Sequence, residues 1–328
     1  AANEITSITG GSVTPAYDSA GNMTSGPSPL DGTVRVHYAY DAWNRLVAVR
    51  ADDTGEPGDL IAQYEYDGLN RRMVKTVFDG EDTTTSEFFY NESWQLLEAR
   101  TAEGEDESAT HYVWDLSYID APIARLFDAN ADGDFTDAGD AVHYYTFDAN
   151  QNVTALIGLV ETSPGVFEWQ VVERYTYTPY GVATAHDPDW SNPAAPTTDG
   201  PLYAGYHFDA ETGLYHVRNR HYDPSLGAFT TRDPIGYAAG DENLYRYVGN
   251  DPAGAVAPSG LEHGVAPGCT SCITGYREPS LEEIAYRNAA EIARAEKGGI
   301  TNSPFPTPAW TRVAQLQVKI CATSFRPT

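Results

Sequence analysis

The sequence predicts a mainly β protein: a spiral of stacked antiparallel hairpins forming a curled sheet or partial barrel, with a short C-terminal extension containing one helix. Two observations predict it. The 29 Gly and 21 Pro punctuate the 328 residues about once every six or seven positions, and 22 Tyr outnumber 11 Phe and 6 Trp. That is the composition of short strands and turns. A motif also recurs along the first part of the chain, as an aromatic, Asp, Asn and a return into alternating apolar residues. Its clearest copies are "YDSAGNMT" (Tyr17 to Thr24), "YAYDAWNRLVAVR" (Tyr38 to Arg50) and "YEYDGLNRRMVKTV" (Tyr64 to Val77). Weaker copies begin at Tyr90, Tyr112 and Tyr145.

Each copy reads as a hairpin: a strand, a turn whose Asp and Asn bond nearby backbone and tolerate positive φ, and a second strand. One hairpin is unstable alone, whereas consecutive hairpins joined edge to edge bury a face and use up open edges. Residues 1–200 are therefore expected to be hairpin repeats. The start "AANEITS" reads as a cut from a longer precursor or a processed terminus.

Charge narrows the partners. The net charge is −27, and residues 262–328 hold 7 Lys/Arg against 6 Asp/Glu, which leaves 13 against 41, or −28, for residues 1–261. Such a surface repels phosphate backbones and anionic lipid, so neither nucleic acid nor a membrane surface is an expected partner. No run of about 18 apolar residues is present, so no membrane span is expected. The three cysteines, Cys269, Cys272 and Cys321, all lie beyond the β-rich part.

The repeats resemble YD or RHS repeats. Residues 203–261, beginning "YAGYHFDAETGLYHVRNRHYDPSLGAFTTRDPIGYAAGDENLYRYVGNDP", resemble the RHS-associated core found in bacterial polymorphic toxins and ABC-toxin C subunits. The resemblance implies a secreted or cell-surface protein whose hairpin spiral forms a shell around a variable C-terminal toxin. It also implies an aspartyl-type core that cuts the chain after Asp-Pro-x-Gly-Leu. The partners implied are other RHS chains, or the upstream part of the same precursor, with self-association, because 328 residues supply too few hairpins for a closed shell.

Carried onto this sequence, the catalytic set is Asp233 in "RDPIG", Arg220 in "RNRHYDP" and position 257, with the cut after Leu261. Of two carboxylates held close, one keeps a proton and can protonate the leaving amine while the other activates water. Position 257 is alanine, which carries no proton, so self-cleavage is expected to be lost and no enzymatic activity is expected. Asp251 lies six residues away, about 20 Å along an extended strand, too far to substitute. The structural alternative is that each Asp-Pro-x-Gly is a turn paired by the arginine.

A second candidate is "DANADGDFTDAGD", residues 128–140. Asp128, Asn130, Asp132 and Asp134 alternate around Gly133 as in calcium loops, although Gly139 stands where the closing Glu would be. The alternative is a solvated acidic hairpin loop.

Residues 262–328 form a variable extension after the 201–261 core. Ser280 and Glu283 read as a capping box, with Leu281, Ile284 and Ile292 on one helix face. Cys269 and Cys272, with His263 and Cys321, suit zinc or a disulfide only weakly, and the deaminase pattern of His-x-Glu before Pro-Cys-x-x-Cys is not met. The leading expectation is a structural shell protein of the toxin-delivery type; the alternative is an extracellular or cell-surface fibre or adhesin of self-associating spirals.

Overall fold

The structure, a computed structural model, describes residues 3–116, 118–261 and 264–265. Its first 14 strands are β1 (Ala16–Tyr17), β2 (Met23–Pro27), β3 (Arg35–Tyr40), β4 (Leu46–Asp53), β5 (Glu56–Tyr66), β6 (Arg72–Asp79), β7 (Asp82–Tyr90), β8 (Leu96–Glu103), β9 (Asp106–Trp114), β10 (Pro122–Asp128), β11 (Ala141–Phe147), β12 (Val153–Ser163), β13 (Val166–Tyr177) and β14 (Ala183–His186). They form one sheet in strict sequence order. The sheet ends at β1 and β14 and does not close into a barrel.

The turn chemistry explains that order. The Asp41, Asp67 and Asp148 backbone N–H groups donate to the carbonyls of Arg45, Arg71 and Asn152. Each Asp side chain in turn accepts from the backbone N–H four residues on, at 3.0, 2.9 and 3.0 Å. Asn44, Asn70 and Gln151 sit between at φ 62°, 71° and 64°, a left-handed conformation that Asn tolerates well. Successive units are then tied together. The Tyr66 hydroxyl donates to the Leu46 carbonyl at 2.7 Å, the Trp114 indole to Leu96 at 2.6 Å and the Tyr177 hydroxyl to Val153 at 2.7 Å. The motif aromatic of one unit thus caps the strand that opens after the previous turn. A further copy escapes the sequence pattern because Thr178 replaces Asp: its Oγ1 accepts from the Val182 N–H at 3.0 Å.

A second sheet of five strands follows: β15 (Gly200–Pro201), β16 (His207–Asp209), β17 (Leu214–Val217), β18 (Arg220–Asp223) and β19 (Ala228–Phe229). Strand β20 (Ala255–Val256) pairs with β21 (Gly264–Val265). The second sheet packs on the first through two apolar clusters. One joins Leu214 to Met23, Val36, Tyr38, Leu46, Val49, Ala62 and Tyr64. The other gathers Tyr203, Tyr206, Tyr215, Tyr222, Phe229 and Tyr247 against Val153, Leu156 and Tyr175. Burying rings of this size is the largest favourable contribution available to the fold. The fit is close enough that Gly205, at φ 73°, is obligatory: a Cβ there would collide with the Asp120 carbonyl oxygen. Among the described residues no helix is long and apolar enough to cross a membrane. Leu281, Ile284, Ile292, Ser280, Glu283, His263 and the three cysteines lie outside the described residues.

Candidate functional site

Asp233-Pro-Ile-Gly236 and its counterpart Ala257-Pro-Ser-Gly260 fold into the same turn. The Gly236 N–H donates to the Asp233 carbonyl and the Gly260 N–H to the Ala257 carbonyl, each at 2.9 Å. The two glycines have φ 59° and 68°. At Gly260 the requirement is also steric, since a Cβ would collide with the Val217 carbonyl oxygen. The turns face one recess of about 330 Å³, open solvent included, lined by Arg220, Phe229, Asp233, Asp241, Ala257 and Leu261 among others.

Arg220 is the hub of that recess. Its Nη2 lies 3.0 Å from Asp233 Oδ2 and donates to the Leu261 carbonyl at 3.3 Å, its Nε donates to the Gly260 carbonyl, and its Nη1 donates to Leu244 at 3.1 Å. The guanidinium sits 3.6 Å from the Phe229 ring centroid. Burial pushes its pKa down to about 10, with Asp233 opposing; it stays cationic at neutral pH. Asp233 is itself fixed, accepting from the Ile235 N–H at 3.0 Å. The sequence-derived residues Arg220, Asp233, Ala257 and Leu261 therefore meet in one place. Ala257 is buried, and its N–H donates to the Tyr206 hydroxyl at 2.7 Å. Asp251 stands apart, exposed, with Oδ1 accepting from the Gly254 N–H at 3.1 Å.

Sequence reasoning missed two groups. Asp241 lines the same recess, gripped by Arg246 at 2.6 and 2.8 Å; no motif marks it. The other is an ion cluster between the sheets. Lys75 Nζ lies 2.5, 3.4 and 3.0 Å from carboxylate oxygens of Asp199, Asp209 and Glu211. Those oxygens lie within 4.8 Å of one another, a spacing that would suit a metal ion, but the lysine ammonium already serves as their cation. Burial pushes Glu211 up to about 7.

The calcium candidates Asp128, Asn130, Asp132 and Asp134 lie in the loop between β10 and β11. They are not drawn around a common point. Asp128 Oδ2 accepts from the Gly133 N–H, Asp132 Oδ1 from the Asp134 N–H, both at 2.8 Å, and Asn130 Oδ1 from the Asp132 N–H at 3.3 Å.

No family model matches the chain. It is 30% identical over 264 residues to the double-stranded DNA deaminase toxin A of Burkholderia cenocepacia, covering 77% of this chain and 17% of that protein. It is 27% identical over 225 residues to the probable deoxyribonuclease RhsB of Dickeya dadantii, covering 68% and 12%. The fold resembles the crystal structure of TcdB2-TccC3 without hypervariable C-terminal region: TM-score 0.51, 20% identity, 76% of this chain and 13% of that one. The chain thus has Rhs-type bacterial toxins as homologues and spans less than a fifth of the length of these relatives. The expectation of no enzymatic activity is corrected by them: the homologues are named as a deaminase and a nuclease, which points to enzymatic activity. Neither comparison supports the fibre or adhesin alternative.

Proposed function

We propose that residues 3–261 are the end of the carrier shell of a secreted, enzyme-bearing bacterial toxin, with RHS-type hairpin repeats leading into a self-cleavage core at Leu261-Glu262. The observation that carries this reading is one guanidinium, Arg220, joining the Asp233 carboxylate to the carbonyls of Gly260 and Leu261. Donation to the Leu261 carbonyl polarises the carbon that water would attack. In a complete pair, one carboxylate takes a proton as the water oxygen bonds to that carbon. The other gives a proton to the Glu262 nitrogen as the C–N bond breaks. Asp233 supplies one carboxylate of the pair; Ala257 presents a methyl group where the second belongs, so the junction is held in place uncut.

In this reading residues 262–328 lie on the effector side of the junction, and the enzymatic activity of the whole toxin is exercised there. The partners are the upstream part of the same protein and companion shell subunits. The acidic surface of residues 1–261 keeps the carrier itself off nucleic acid. Calcium in the 128–140 loop is a separate, independent proposal, supported by its alternating oxygen-bearing side chains.

The test is the chain carrying Ala257→Asp, alone and with Asp233→Asn. The first should separate into two fragments and the second should stay whole. An Ala257→Asp chain that stays whole contradicts the assignment. Spontaneous cutting of the chain as it stands, abolished by Asp241→Asn, would replace it with a pair made of Asp233 and Asp241.

A further inference from the structure

The turn joining β17 to β18 runs Arg218, Asn219, Arg220, and it faces the four residues Pro258 to Leu261. Every carbonyl of that segment is taken by this turn. Arg218 Nη1 donates to Pro258; Asn219 Nδ2 donates to Ser259 at 3.0 Å; Arg220 Nε donates to Gly260 and its Nη2 to Leu261 at 3.3 Å. The segment is braced from within as well, because the Leu261 N–H donates to Ser259 Oγ at 3.2 Å. All four contacts are to backbone, so they fix position and register. The one side-chain requirement is Gly260, where any Cβ meets Val217.

The back of the turn is bolted to the large sheet. Arg218 donates to both oxygens of the buried Asp120, at 2.6 and 3.1 Å, and Asp120 sits in the connection between β9 and β10. Asn219 Oδ1 accepts from Asn70 Nδ2 at 3.1 Å, and Asn70 sits in the turn between β5 and β6. Arg218 holds φ 46°, a strained value for a residue with a side chain, which persists only where surrounding bonds enforce it.

We propose that Arg218 and Asn219, anchored by Asp120 and Asn70, form a peptide clamp that holds the Leu261 carbonyl on Arg220, making scission conditional on an assembled hairpin sheet. The role in scission rests on the cleavage reading above; the clamp itself does not. Arg218 and Asn219 are positioning residues, acting through the segment they hold. Asp120 belongs to a different pair of hairpins from Asn70, so a chain whose sheet has not formed across both lacks the bolts and presents no aligned bond.

Two measurements on the full chain separate the clamp from the cleavage reading. The first is hydrogen exchange at the Ser259, Gly260 and Leu261 amides in the chain as it stands. Arg218→Gln and Asn219→Ala should each raise exchange there by about tenfold or more, the effect expected when a charged or buried hydrogen bond is removed, with the rest of the second sheet still protected. The second is the rate of fragment release in the Ala257→Asp background. Arg218→Gln should slow it by about tenfold or more, and Arg218→Lys, which keeps the charge on Asp120, should recover part of the rate. Unchanged exchange in both variants overturns the clamp, whatever happens at the bond. Raised exchange with an unchanged release rate overturns its part in scission. If Ala257→Asp does not cut, the cleavage reading falls and the exchange result alone decides the clamp.

Discussion

The guanidinium of Arg72 and the carboxylate of Asp209 meet in two parallel hydrogen bonds of 2.6 and 2.9 Å, with both side chains buried. This fork pins β6 of the large sheet to β16 of the second. Its geometry and the neighbouring Lys75 hold the Asp209 carboxyl far below the usual carboxylate range, against the opposing effect of burial.

Removing one partner leaves the other as an uncompensated buried charge. Asp209→Asn is therefore expected to destabilise the chain by about 3–5 kcal/mol. Urea unfolding followed by circular dichroism measures it. A loss within about 0.5 kcal/mol, typical of a surface substitution, would contradict the role given to this pair.

Much of the large sheet is legible in the sequence, because hairpin logic is local: Asp41 with Asn44 and Asp67 with Asn70 encode their own turns. The Thr178 turn is not, since a hydroxyl replaces the expected carboxylate. Arg220, Asp233 and Leu261 could be carried over from a resemblance. The ion cluster and the clamp could not, because Lys75 and Glu211, or Asp120 and Arg218, are brought together by the packing of one sheet on another, which no spacing reveals.

Acid should weaken the contact between the sheets through His221. The ring is buried beside Tyr64 and His216, and Nε2 makes no hydrogen bond. Burial pushes its pKa down to about 3, with Arg72 adding to the effect and Asp209 opposing it. The folded state thus favours the neutral ring, while the unfolded chain takes up a proton below about 6.5. The stability this group contributes is present above pH 6.5 and is lost as pH falls from there toward 3. His221→Gln should reduce the loss between pH 6.5 and 4.5 by roughly 1–3 kcal/mol, read from urea midpoints. Parallel stability curves for the two chains would contradict this.

Calcium binding in the 128–140 loop would pull the Asp128 and Asp132 carboxylates away from the backbone N–H groups they now accept from, and the Asp134 carboxylate away from the Thr136 hydroxyl, onto a cation. Adding calcium to chelator-treated protein should then raise the melting temperature by a few degrees, and Asp132→Ala should abolish the rise. Equal melting temperatures with and without calcium would leave a solvated acidic loop.

Gly260 should tolerate no side chain. Gly260→Ala forces a left-handed conformation on a residue with a Cβ, at a cost of about 1–2 kcal/mol, and drives that Cβ into Val217. In the Ala257→Asp background it should suppress fragment release while the tyrosine core around Tyr203 and Tyr222 remains folded by near-ultraviolet circular dichroism. Release at the unaltered rate would show that the register of Leu261 on Arg220 does not matter.

The most direct test of the account is the intact mass of the Ala257→Asp chain after purification. Self-cleavage by a completed pair predicts a fragment whose mass ends at Leu261 and a complementary one beginning at Glu262, both absent when Asp233→Asn is added. A single species at the full-length mass, from a chain that melts like its parent, would contradict the reading of Arg220, Asp233 and residue 257 as a cleavage core.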